Sequence, residues 1–143
     1  MTERFYGEKR ANAQPILQEY ERVGTPQRLF DLLWAVWCRE TCAPRLREQW
    51  REDNRTLGQC SITSFLVQDI YGGEVYGVPL AGGGFHCFNV VDGVAFDLTD
   101  GQFGGEKLRY DLLHPQSREE HFADREKYER YLLLKSKLSA LLK

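Results

Sequence analysis

From residue 25 onward, the hydrophobic positions follow first a helical and then a strand period. Thr25-Pro26 reads as a helix start, a hydroxyl cap followed by proline at the first helical position. Leu29, Leu32, Leu33, Val36 and Trp37 recur at helical spacing, which predicts one apolar face on a helix that ends by Pro44. A second helix is predicted to open at Cys60 and to present Ile62, Phe65, Leu66 and Ile70 on one face, stopping at Gly72-Gly73. Glu74 to Leu80 reads as a strand and Ala81-Gly82-Gly83-Gly84 as a loop that could flex to admit a substrate. Residues 85–91 and 94–99 read as a hairpin about the Asp92-Gly93 turn.

The flanks are less patterned. Residues 1–24 are polar, with at most a short helix around Ile16 to Val23. The charged stretch 45–55 carries Trp50, read as an anchor for the approach to Cys60. Residues 100–117 read as irregular. A last helix, from Glu119 or Asp124 to Leu142, is expected to turn Phe122, Tyr128, Tyr131, Leu132, Leu138 and Leu142 inward. His114 and His121 read as solvent-exposed, and the mixed charges of 118–130 as a solvated helix face. The expectation is one α+β domain over 1–143, with helices before and after a small antiparallel sheet. Within it, 1–24 is an N-terminal extension, 57–103 a helix-plus-hairpin unit and 119–143 the C-terminal helix.

Composition adds limits. At 143 residues the chain has the length of one domain, enough to bury a core without staples. A formal net charge of -2 provides no global field for nucleic acid or an anionic membrane. No apolar run approaches the ~20 residues of a membrane span, and the first ten residues hold no apolar signal segment. The expectation is a cytoplasmic protein with free thiols and neither cofactor nor metal. Cys38 and Cys42, four apart beside a tryptophan-rich helical face, read as small hydrophobes; as half of a metal site they lack evident further ligands.

Chemistry concentrates at three residues. Cys60 opens a helix, where the N-terminal dipole favours a thiolate. His86 and Asp97 lie on the two strands of the hairpin. If Val91 faces Val94 across the turn, Asn89 faces Phe96 and Phe88 faces Asp97, so His86 and Asp97 project from one face as diagonal neighbours. Cys60 then reads as nucleophile, His86 as base and Asp97 as its orienter. The backbone N–H of Cys60 is an oxyanion donor, and Gln59, Asn54 and Gln102 are candidates for a second; Asn89 and Trp50 are further substrate-side candidates. Strand alternation turns Cys87 away from His86, which excludes it both as a zinc ligand beside His86 and as a partner in the site.

These residues also carry a resemblance. Leu57-Gly58-Gln59-Cys60-Ser61-Ile62-Thr63, Val67-Gln68-Asp69, Gly72-Gly73-Glu74, His86 with Asn89, Asp92-Gly93, and Asp97-Leu98-Thr99-Asp100-Gly101-Gln102-Phe103 resemble the YunG-like family of small bacterial proteins. The match is close over about 50–103; Trp34 and the helix from Tyr128 to Leu142 fit more loosely. More distantly, His86-x-x-Asn89, Asp92-Gly93 and Asp97-x-Thr99 are similar to the histidine and aspartate strands of the papain-like and transglutaminase-like superfamily. That likeness implies the same three roles and a papain-like fold. Cys87 departs from the aromatic residue that commonly follows the histidine. The expected function is a thiol hydrolase or acyltransferase acting on a peptide-type carbonyl. The rival is a non-catalytic peptide- or protein-binding module that keeps the fold.

Overall fold

The computed structural model describes residues 3–143. Its centre is α2 (Cys60–Tyr71), held between a sheet and the long C-terminal helix. Helix α1 (Pro26–Val36) buries Leu29, Phe30 and Leu33. The sheet comprises β1 (Glu74–Pro79), β2 (Phe85–Val91), β3 (Val94–Phe96) and β4 (His114–Pro115), in the order β3-β2-β1-β4. Every neighbouring pair is antiparallel. Helices α3 (Arg118–Phe122) and α4 (Arg125–Leu141) follow, with α4 packed on α1 and α2.

Helix α2 is apolar on more than one side because it is covered on more than one side. Ile62, Phe65, Leu66 and Ile70 are buried as the spacing predicts, and so are Thr63, Ser64 and Val67. The two buried hydroxyl residues belong to cross-links. Trp37 Nε1 donates to Thr63 Oγ1 at 3.0 Å, and Asn89 Nδ2 donates to the Ser64 carbonyl at 2.9 Å. The second bond pins α2 to the central strand. Gly72, at φ 79°, ends the helix.

The β2–β3 register is the one the Asp-Gly turn predicts: Val91 pairs with Val94, Val90 with Ala95 and Asn89 with Phe96. The outer strand is shorter than 94–99, because Asp97 leaves β2 and bridges to Tyr6, with Asp97 N–H donating to the Tyr6 carbonyl at 3.0 Å. Tyr6 and Gly7 therefore lie along the edge of the hairpin, and the rest of the arm runs on to α2. Phe5 is buried, and Ile16 N–H bonds to the Ile70 carbonyl at 2.8 Å.

Three expectations need correction. Helix α1 ends at Val36, before Pro44 as expected, but fully buried Trp37 already turns the chain out of the helix, so the helical period does not reach it. The Thr41 hydroxyl then closes a short turn by bonding both the N–H and the carbonyl of Cys38. Cys38 and Cys42 consequently share no helix face. The C-terminal segment is two helices, since Asp124 caps Lys127 N–H and restarts the chain as α4. The buried face of α4 is Arg130, Tyr131, Leu134 and Leu138, while Tyr128 and Leu132 remain 40% and 42% exposed. Finally, the irregular stretch contains β4, two residues paired with Tyr76 and Gly77, and a tight turn over Asp100–Phe103. Among the described residues no helix is long and apolar enough to cross a membrane.

Gly7 tests how the arm is docked. It adopts φ +82°, and a Cβ there would run into the Ala95 carbonyl and lie 2.9 Å from Phe96 Cβ. Gly7→Ala should cost about 1–3 kcal/mol, read as a lower urea midpoint. Gly82→Ala, where a Cβ meets nothing within 4 Å, should leave the midpoint nearly unchanged.

Candidate active site

The turn before α2 aims the nucleophile. Gly58 sits at φ +72°, and a Cβ there would lie 2.5 Å from Cys42 Sγ and 2.9 Å from Ala43 N. Only glycine fits that turn. Its carbonyl accepts from Ala43 N–H at 3.0 Å, which ties the approach to the loop after α1. Cys60 is then the first residue of α2, and no side chain caps this helix end. The first-turn N–H groups and the positive end of the helix dipole are left beside the Cys60 sulfur.

His86 and Asp97 meet in the buried space behind it. His86 Nε2 lies 2.6 Å from Asp97 Oδ2, and both side chains are 1% exposed. Cys60 is the other group that acts on the ring and favours its charged form. The Asp97 carboxylate is filled by further donors: Tyr110 O–H at 2.7 Å, and Thr99 N–H and Oγ1 at 3.0 and 3.2 Å. Phe103 stands edge-on against the imidazole, with ring centres 4.7 Å apart. Burial opposes a charged ring at His86, but Asp97 and Cys60 outweigh it and raise its pKa to about 10. One turn along, Asp100 accepts from Tyr6 N–H at 3.0 Å; burial and the nearby Asp97 charge raise its pKa to about 7.

The Cys60 thiol is held well below the ordinary thiol range. A hydrogen bond from the Cys87 thiol favours the thiolate most, burial opposes it, and the His86 imidazolium and the Cys87 backbone add to the lowering. Cys87 is pushed the other way, first by its bond to Cys60 and then by burial, so it stays a neutral donor. This corrects the exclusion of Cys87. The residue does alternate away from His86, and it lies in the apolar core beneath α2. That inner face is the one on which the start of α2 rests, so both neighbours on β2 reach Cys60. Strand alternation separates His86 from Cys87 but does not separate either from a third residue at a helix end.

A cleft of about 650 Å³ opens over this group, lined by Cys60 and His86 with Leu57, Leu80, Phe85 and Phe103, and on its far side by Glu126, Lys127 and Arg130. Of the expected donors only Gln102 reaches it. Its amide is committed to the Thr99 carbonyl at 2.9 Å and to Gly58 N–H at 3.4 Å. Gln59 is fully buried and turned to the Cys38 carbonyl at 3.1 Å. Asn54 lines a separate hollow with Trp34 and Asp31. Asn89 is spent on Ser64, and Trp50 is buried with its indole N–H on the Arg55 carbonyl at 3.1 Å. Trp50 thus anchors the approach loop without touching the cleft.

Two residues expected to be solvated belong to the cleft instead. His121 is partly buried, accepting from Lys127 Nζ at 2.9 Å and donating Nε2–H to Gln116 at 2.8 Å. Burial and Lys127 lower its pKa, so the ring is neutral. Arg130 is 7% exposed, bonded to Glu126 at 2.9 Å and to the Thr41 carbonyl at 3.1 Å. Part of the charged run at 118–130 is therefore a wall of the cleft. His114 is exposed, as its place before proline suggests. Among the described residues no group of three or more His, Cys, Asp or Glu side chains could hold a metal ion.

Asn89→Ala separates scaffold from chemistry. Losing its buried bond to Ser64 should cost about 1–3 kcal/mol in chemical denaturation. In the folded variant the iodoacetamide rate at Cys60 should fall much less than in His86→Ala, since Asn89 touches neither the sulfur nor the imidazole and acts on them only by tying α2 to β2.

Comparison with known proteins gives a family. Residues 25–143 match the family model described as YunG protein. The chain is 34% identical over 76 residues to the uncharacterized protein YunG of Bacillus subtilis (strain 168), covering 53% of this chain and 64% of that protein. The chain thus spans less than two thirds of that relative's length. No solved structure matches. With 25–143 accounted for by the family model, the chain belongs to the YunG family.

Proposed function

We propose that this protein is a cysteine-dependent hydrolase or acyltransferase with a papain-like or transglutaminase-like arrangement, acting on an amide or peptide-type carbonyl. The observation that carries the reading is the position of His86, bonded to Asp97 at 2.6 Å and lining one open cleft with Cys60, which acts on its charge. Cys60 attacks the carbonyl carbon as a thiolate. The oxyanion forms against the Cys60 backbone N–H at the uncapped end of α2. The His86 imidazolium gives its proton to the leaving amine, which departs as the acyl-Cys60 thioester forms. Neutral His86 then takes a proton from water or an amine, whose attack releases the acyl group and restores the thiolate.

Apolar Leu57, Leu80, Phe85 and Phe103 facing charged Lys127, Glu126 and Arg130 suit a peptide or protein substrate. The net charge of -2 favours no nucleic-acid partner, and four unpaired thiols suit a reducing, cytoplasmic setting.

Thiol reactivity is the test. Iodoacetamide at pH 7 should modify Cys60 roughly tenfold or more faster than Cys38, Cys42 or Cys87, and His86→Ala should remove most of that advantage. The pH profile follows from the two shifts. Lowering the Cys60 pKa keeps the thiolate populated at neutral pH, so the rate falls only as pH drops through that lowered value. Raising His86 to about 10 keeps its proton, and hence the ion pair, until pH rises through that value. With p-nitrophenyl acetate as acyl donor, an acetyl group should appear on Cys60 and be absent from Cys60→Ser. Uniformly slow alkylation that climbs only at pH 8–9, with no acetyl-Cys60, would leave a binding module as the better description.

A further inference from the structure

We propose that Cys60 and Cys87 form a reversible disulfide under peroxide, an internal modification that withdraws the nucleophile from the cleft and protects it from deeper oxidation. The inference rests on reading Cys60 as the reactive thiol of the site, and it adds a regulation to that reading. Cys60 lies one turn before Ser64 on α2 and Cys87 two residues before Asn89 on β2, so the Asn89–Ser64 bond at 2.9 Å and the packing of α2 on β2 bring the two cysteines together, and each shifts the other's pKa. Their exposure divides the labour. Cys60 lines the cleft, whereas Cys87 is fully buried under α2. A dissolved oxidant therefore meets Cys60 and not Cys87. The pair is held in register by the Asn89–Ser64 bond two residues along β2. Cys38 and Cys42 are engaged elsewhere, Cys38 with Thr41 Oγ1 at 3.8 Å and Cys42 with the Ala43 carbonyl at 3.5 Å.

The chemistry balances with a peroxide as the oxidant. The Cys60 thiolate attacks one peroxide oxygen; the S–O bond forms, the O–O bond breaks, and the departing oxygen takes the proton of His86. Cys60 is then a sulfenic acid. The Cys87 sulfur attacks the Cys60 sulfur, the S–S bond forms, the S–O bond breaks, and water leaves with the proton that Cys87 carried. Together the two thiols lose two electrons and two protons, and the peroxide becomes water and an alcohol, or two waters. A dithiol reductant reverses the bond by exchange, restoring both thiols. With Cys87 adjacent, condensation competes with a second peroxide that would carry Cys60 on to the sulfinic acid, which a dithiol does not repair.

The full chain should be treated with a small molar excess of hydrogen peroxide at pH 7, then blocked with N-ethylmaleimide and digested with trypsin. No Lys or Arg lies between Arg55 and Lys107, so both cysteines fall in the single peptide 56–107. That peptide should become lighter by two hydrogens and carry no maleimide. Cleavage after Glu74 should leave its two halves joined until dithiothreitol is added, and dithiothreitol should restore iodoacetamide labelling of Cys60. Cys87→Ala should instead collect sulfinic acid at Cys60 and fail to recover. The wild-type mapping stands without that variant if the variant does not fold. Sulfinic acid at Cys60 with Cys87 still free, or a bond from Cys60 to Cys38 or Cys42, would overturn the proposal. Fast alkylation of reduced Cys60 without the 60–87 link would overturn the disulfide alone; slow alkylation would overturn the thiol-enzyme reading as well.

Discussion

A buried carboxylate costs several kcal/mol unless its lone pairs are filled, and Asp97 is buried almost completely. Its two oxygens are filled by the His86 ring, the Tyr110 hydroxyl and both the N–H and hydroxyl of Thr99. Those donors come from β2, from the loop beyond Phe103, and from the turn after β3. The ring of Tyr110 is stacked on Tyr6 at 3.9 Å, which draws in the N-terminal arm. Satisfying one charge therefore fixes the mutual positions of four segments that are distant in sequence. The position and raised pKa of His86 follow from the same arrangement.

The nucleophile depends on a second constraint, a helix whose start has no side-chain cap. A serine or aspartate cap would stabilise α2 by about 1 kcal/mol. It would also occupy the N–H groups that favour negative charge on Cys60. Here the sequence places Gln59 at that position and buries its side chain against Cys38. Cys87 and the His86 imidazole also act on the sulfur, so a helix end, an imidazole and a thiol all bear on Cys60. Each is carried by an element that packs for other reasons, and the Asn89–Ser64 bond holds them to one another.

The sequence made the helix-plus-hairpin unit legible because its signals are local. The Asp92-Gly93 turn determines the register of β2 with β3, and Asp97, just past the end of β3, follows from it onto the side of His86. The apolar face of α2 was equally readable from spacing. What escaped is what requires packing to define it. Cys87 points away from His86 along its strand, and only the placement of α2 over that face brings it to Cys60. Tyr110 lies in a stretch with no period, and β4 is two residues ending in proline, too short to leave a pattern. His121 and Arg130 look like charged helix surface because their partners, Gln116 and the Thr41 carbonyl, are fixed by the tertiary fold. Side-chain amides near the site are the least legible from sequence. Gln59, Gln102 and Asn89 all sit near Cys60 in sequence or space, yet backbone groups claim each of them.

The bridge between Tyr6 and Asp97 has one more consequence. Strand β3 ends the sheet, and an end strand with open N–H and carbonyl groups is a template on which another chain can add. The arm closes that template at Asp97, using residues that lie before the region matched by the family model. A chain trimmed to residues 25–143 would keep every residue of the proposed triad but expose the flank of the hairpin that carries His86. Self-association in solution would then accompany the loss of the Tyr6 support for Tyr110 and Asp97.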